Sequence, residues 1–277
     1  MPSRRQLLHA ALRTSPLLLL GPMGCFQRVD ATGRRQFAFI DDEQMDTLAD
    51  QSWEQISAEN QVSSNTANVA FMQQVGQHLA SVADNGPGYD FTLFASEAAN
   101  AFALPNGRVA VFSGMLPFCK NGAGLATVLG HEIAHVQARH GNERLSQQFA
   151  SNTLLQLASI GLGAAEVDDQ TRGLTMAALS GISAYGVILP YSRTHEYEAD
   201  KIGTGIMARA GYDPQHAVAF WQRFQQAGGG QPPEFMSTHP SGPNRIERLQ
   251  DRMPHYQELY QAAPRQLGAG EPIPSLG

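Results

Sequence analysis

His131-Glu132-Ile133-Ala134-His135 is the stretch from which the rest of this chain is read. On an α-helix, residues four apart lie about 40° apart around the axis, so His131 and His135 project from one face and can grip one metal ion. Glu132 reaches the same space and can take a proton from a water beside that ion. Three fixed letters arise by chance in a chain of this length on the order of a few per cent of the time, so the pentapeptide alone is a hypothesis. A catalytic zinc site also needs a third protein ligand and an open position for water.

Thr194-His195-Glu196-Tyr197-Glu198-Ala199-Asp200 supplies that third ligand. Glu196 and Asp200 repeat the four-residue spacing, so one helix face carries both carboxylates. Glu196 is assigned to the metal, and Asp200 stands behind it, accepting the spare ring N–H of a ligand histidine. His195 is a rival ligand, but no carboxylate lies four residues after it on the same face. Glu198, roughly 200° from Glu196, reads as an outward-facing charge. The alternative for the whole run is a solvated acidic surface. Against it, the run sits between an apolar segment and Ile202-Gly203, and a buried carboxylate needs a cation or metal partner. His140 lies about half a turn of the axis away from His131. It reads as a helix-terminal residue complementing the dipole, with Gly141 ending the helix.

With these motifs in place, the chain resembles the gluzincin metallopeptidases, in particular the family of HtpX, the CAAX prenyl proteases and the Oma-type proteases. Further local matches are residues 100–116, the run 125–130 ahead of the zinc helix, Ser237-Thr-His-Pro-Ser241, and Asn244-Arg-Ile-Glu-Arg-Leu249. The likeness covers roughly residues 41–255 and is nearest to the bacterial periplasmic, BepA- and LoiP-like branch, without an extended helical-repeat array. It implies an α+β, mainly helical fold of zincin type, with a small β-sheet whose edge strand borders the zinc helix. It implies one zinc ion held by His131, His135 and Glu196, with Glu132 as general base. Asn100 and Ala101 would lie on the edge strand that pairs with an extended peptide. His239 would sit near the metal, either helping to stabilise the oxyanion or occupying the water position as a fourth ligand. Arg245 is a second candidate for the developing negative charge, with an ion pair to a nearby acid as the equal alternative.

Composition agrees with an exported enzyme. The formal charge of −6 opposes nucleic-acid binding, and 42% hydrophobic residues over 277 positions suffice for one sizeable core or two small lobes. Ser3-Arg4-Arg5-Gln6-Leu7-Leu8 resembles a twin-arginine export signal, and Gly24-Cys25 resembles a lipoprotein site, with Pro22 where leucine is usual. Phe26 in place of aspartate after that cysteine points to the outer membrane. The organisation expected is an export signal over 1–24 and a tether over 25–40 after a lipidated Cys25. A metallopeptidase domain over 41–262 and a flexible tail over 263–277 follow. Cys119 is the other cysteine of the chain, so no structural disulfide is expected.

Apolar spacing predicts helices over 41–59, 69–82, 123–139 and from 214 to 224, and strands over 91–94, 99–104 and 109–112, the last two joined by Pro105-Asn106-Gly107. Apolar runs over 154–165 and 174–189 are shorter than the roughly 20 residues of a membrane span. They read as buried helices forming a cover over the groove. The expected function is zinc-dependent endoproteolysis of unfolded or misassembled envelope proteins. The alternative is a periplasmic chaperone or assembly factor whose zinc is structural.

Overall fold

Asn121 starts the helix around which the molecule is built. In the computed structural model, which describes residues 26–84, 86–161, 192–227, 234–239 and 244–275, its side chain accepts a hydrogen bond from the Gly124 amide. The helix it caps, here called α4 (Gly122–Gln137), is buried from Gly122 through Val136. A helix covered on every side has no polar face to show, which is why Leu125-Ala-Thr-Val-Leu129 reads as one continuous apolar run.

Ahead of it come β1 (Phe26–Arg28) and β2 (Arg35–Phe37), then α1 (Asp42–Glu59), capped by Asp41, and α2 (Thr66–Ala80), capped by Asn65. Next are β3 (Asp90–Phe94), β4 (Ala101–Ala103), β5 (Arg108–Phe112) and the single turn α3 (Leu116–Cys119). After α4 come α5 (His140–Gly161), α6 (Arg193–Arg209), α7 (Gln215–Ala227), α8 (Glu234–Thr238), α9 (Arg245–Asp251) and α10 (Met253–Ala262).

The small sheet runs β3-β5-β4, with β5 parallel to β3 and antiparallel to β4, so β4 is an edge. Alternation along the strands divides two cores. Leu93, Val109 and Val111 pack with α4, while Phe94, Ala110 and Phe112 pack with Met45, Ala49 and Ile56 of α1. Gly107 in the β4–β5 turn has φ +86, and a Cβ there would lie 2.2 Å from the Gly88 carbonyl oxygen, so the turn requires glycine.

Helix α6 crosses α4 at touching backbones. A Cβ on Gly130 would lie 2.9 Å from the Gly203 oxygen, and one on Gly203 would lie 2.7 Å from the Gly130 carbonyl. This approach brings the histidines of α4 and the carboxylates of α6 together.

Three expectations are corrected. The stretch expected as a tether over 25–40 is an antiparallel hairpin from Phe26 onward, pairing Phe26 with Phe37, with Val29, Ala38 and Ile40 buried. The tail expected to be flexible packs against the molecule instead. Glu271 and Ala269 carbonyls accept from the Gly122 and Ala123 amides at the start of α4, and Ile273 is fully buried. Both segments read as loose because they are short, the first by its arginines and small residues and the second by its glycines and prolines. Each is held mainly by completing backbone and charged groups elsewhere. The third correction concerns the end of the zinc helix. Arg139, with φ 55, breaks the chain out of α4 before Gly141, so His140 belongs to the next helix and returns toward the site.

None of the helices among the described residues is long and apolar enough to cross a membrane. The expected export signal, Cys25 and most of the apolar stretch expected as a cover (162–191) lie outside the described residues.

Candidate metal centre

His131 and His135 point from α4 into the crossing with α6, and Glu196 meets them from the first turn of α6. His239, just after the short helix α8, closes the fourth side. His135 Nε2 lies 3.0 Å from His131 Nε2, and His131 Nε2 lies 3.4 Å from Glu196 Oε2. His135 Nε2 is 3.5 Å from Glu196 Oε1, and His239 Nδ1 is 3.3 Å from His131 Nε2 and 3.1 Å from Glu196 Oε1. Zinc bonds of about 2.0–2.1 Å in a tetrahedron imply ligand separations of about 3.3–3.4 Å. These five separations lie near that spacing, and the four residues offer ligand atoms that all lie within 4.8 Å of one another. Two or three imidazoles with one carboxylate are donors that suit zinc.

Charge gives the same answer. Glu132, Glu196 and Asp200 are 1%, 0% and 6% exposed, and the buried guanidinium among them is that of Arg245. Three carboxylates against one such group leave the pocket short of positive charge. Burial opposes charge on His131, but the Glu196 carboxylate and the bonds to Asp200 and Glu196 prevail and raise it to about 9. A proton or a metal ion at this point answers the same field. Burial drives His135 well below its ordinary value, leaving a bare ring nitrogen for a metal. Burial alone would raise Glu196, yet His239 and His131 hold it well below the usual carboxylate range.

Glu132 is set up differently. Burial raises its carboxyl above the ordinary range, and its Oε1 has no hydrogen-bond partner, with His239 Nε2 3.5 Å away. A carboxyl with a raised value and an oxygen that accepts no hydrogen bond is placed to accept a proton.

Asp200 accepts from His131 Nδ1 at 3.1 Å, and a proton on that nitrogen leaves Nε2 for the cluster. Arg245 makes a two-point ion pair with Asp200, each contact 2.6 Å, reaches Glu196 Oε2 at 3.3 Å, and lies over the Trp221 ring.

Ala101 begins edge strand β4, with Asn100 immediately before it. Phe112 N donates to Asn100 O and Leu104 N to Arg108 O, so even-numbered residues face β5 and Ala99, Ala101 and Ala103 face the free edge. Two of those edge groups are already engaged. Asn100 Oδ1 accepts from the Ala101 amide, and the Ala99 carbonyl accepts from the Phe235 amide of α8. Asn100 Nδ2 also donates to Glu234 Oε1.

One expectation fails here. Glu198 does not face outward: it is 6% exposed, accepts from Thr32 Oγ1, and pairs with Arg34 Nε at 2.6 Å and His140 Nε2 at 3.0 Å. The face of α6 opposite Glu196 is covered by the β1–β2 hairpin, so both sides of that helix are interior. His195 is no ligand among these atoms, because its Nε2 bonds Glu143 Oε2 at 3.0 Å. Sequence reasoning missed His140, Glu143, Thr32 and Arg34, and no local spacing marks them.

A model of peptidase family M48 matches residues 66–253. The chain is 41% identical over 160 residues to the mitochondrial metalloendopeptidase OMA1 of Schizosaccharomyces pombe, covering 57% of this chain and 44% of that protein. It is 32% identical over 235 residues to the human mitochondrial metalloendopeptidase OMA1, covering 80% and 45%. It is 31% identical over 188 residues to the β-barrel assembly-enhancing protease of Escherichia coli K12, covering 66% and 38%. The chain thus spans less than half the length of these relatives. The expected periplasmic, outer-membrane location is overturned: the relatives in yeasts, plant and mammals are mitochondrial proteins. An Arg-bearing leader without acidic residues through Val29 fits a mitochondrial transit peptide as well as an export signal, so composition misdirected that reading.

Proposed function

The chain belongs to peptidase family M48, and from that membership we propose that it is a zinc-dependent metalloendopeptidase acting on unfolded or misassembled proteins. The observation carrying this reading is the cluster of His131, His135, Glu196 and His239, whose ligand atoms all lie within 4.8 Å of one another, beside a Glu132 carboxylate whose Oε1 accepts no hydrogen bond. His131, His135 and Glu196 would hold the ion. When bound, it supplies a Lewis acid that polarises the scissile carbonyl and makes a nearby water more acidic.

This chain's own residues do the rest. Glu132 takes the proton of the attacking water and returns it to the leaving amine. Asp200 holds the His131 ring in the tautomer that leaves Nε2 bare. The outward Ala101 carbonyl and the backbone groups of Ala103 receive an extended peptide by strand addition, which reads backbone before side chains and suits clients without fixed structure. His239 would be a fourth ligand of a resting form. Its ring stacks on Phe235 at 4.1 Å, so it moves with α8.

Casein incubated with and without chelator tests this: chelator-sensitive fragments are expected. Glu132→Gln should keep the ion and lose cleavage by about 10²–10⁴-fold; normal cleavage would remove Glu132 from its role. A second reading, a chaperone or assembly factor with a structural ion, is favoured by the four-ligand closure through His239, since structural zinc sites are closed. Protection of an aggregating client without fragments would select it.

A further inference from the structure

Behind His135, on the side away from the other ligands, lies a line of polar groups that none of the roles above uses. His135 Nδ1 is 2.9 Å from His140 Nδ1. His140 Nε2 is 3.0 Å from Glu198 Oε2, and that carboxylate also accepts from the Arg34 guanidinium and the Thr32 hydroxyl. Arg34 in turn makes a two-point pair with Glu143, at 2.6 and 3.0 Å. Glu143 accepts from His195, whose ring stacks on His140 at 4.4 Å.

We propose that His140, held by Glu198 and by Arg34 of the amino-terminal hairpin, is a positioning residue that fixes the tautomer of His135. This rests on His135 being a metal ligand. Two ring nitrogens in contact must be one donor and one acceptor. The Glu198 carboxylate only accepts, so His140 carries its proton on Nε2 and its Nδ1 is bare. His135 must then donate from Nδ1, which leaves its Nε2 lone pair directed at the ion position. Asp200 does the same for His131 directly, whereas His135 reaches its carboxylate through an intervening imidazole. The amino-terminal hairpin, 164 residues distant in sequence from Glu198, is thereby part of the metal site.

Ion affinity of the full chain, measured by competition with a chromophoric zinc chelator, tests this separately from catalysis. His140→Phe removes the acceptor and should weaken zinc binding by about 10–100-fold, the usual effect of losing a group that supports a ligand. His140→Asn, which keeps an acceptor oxygen, should stay within a few-fold of the parent. Glu198→Leu should weaken binding in the parent but not in the His140→Asn background, where the acceptor no longer depends on the carboxylate. A packing role alone would give additive losses in that pair. Nitrogen-15 NMR of the zinc-loaded protein should show the His135 proton on Nδ1. Unchanged affinity in His140→Phe, additive losses, or a proton on His135 Nε2 would overturn the relay while leaving the metal site standing. A parent protein that takes up no zinc would overturn both.

Discussion

Glu143 shows how far from the ion the electrostatics of this site extend. Burial would raise its carboxyl, but the bonds and charges of His195 and Arg34 prevail and bring it down to about 2. A carboxylate whose folded value lies below its unfolded one stabilises the fold above the unfolded value of 4.5. That contribution is lost as pH falls from there toward 2. Chelator-treated protein should therefore lose unfolding free energy across that acid interval more steeply in the parent than in Glu143→Gln. Equal slopes in urea titrations of the two would mean that Glu143 is not tied in as described. At this scale the sequence is readable where a pair shares one helix face: His131 with His135, and Glu196 with Asp200, need only helical periodicity. It is unreadable at His140, Glu198 and Arg34. Their meeting depends on a left-handed Arg139 and on a hairpin arriving from the far end of the chain.

The crossing of α4 and α6 turns two motifs into one site. Gly203 meets backbone atoms of Gly130 and His131, which cannot give way as a side chain can. Gly203→Ala should cost about 1–3 kcal/mol of stability and weaken zinc binding, because it separates the helix carrying Glu196 from the helix carrying the histidines. Gly205 on the same helix is the control. A Cβ there has its nearest neighbour at 3.8 Å, so Gly205→Ala should be neutral or slightly stabilising. Equal effects of the two in thermal melts and chelator competition would contradict the close-crossing account. Elements with strong periodicity or turn chemistry were legible to within a few residues. Helix α1 follows its Asp41 cap, and the β4–β5 turn falls on Pro105-Asn106-Gly107. Helix α2 begins at Thr66, three residues before the apolar pattern, because Asn65 caps it there. The glycine contact carries no periodic signature, since each glycine is read locally as a weak helix residue.

Over the whole molecule, both ends of the described chain are bound into the metallopeptidase body, the hairpin at the back of the metal site and the tail at the start of α4. Ile273 is fully buried, and its amide donates to the Lys120 carbonyl. Ile273→Ala should lower the unfolding free energy by about 2–5 kcal/mol, whereas a loose tail would register almost nothing in the same denaturant titration. These segments were illegible because the partners that hold them, Glu143 and Glu198 for the hairpin and residues 120–123 for the tail, lie far away in sequence and leave no local pattern. The bond from the Phe235 amide to the Ala99 carbonyl has an effect on traffic through the groove. An incoming polypeptide that seeks that carbonyl competes with the enzyme's own chain for it. Winning it loosens the foot of the short helix that ends beside His239. On the proposed reading, a client long enough to reach Ala99 would be cleaved while a dipeptide would not, and equal cleavage of the two would sever the Ala99 contact from the cation site.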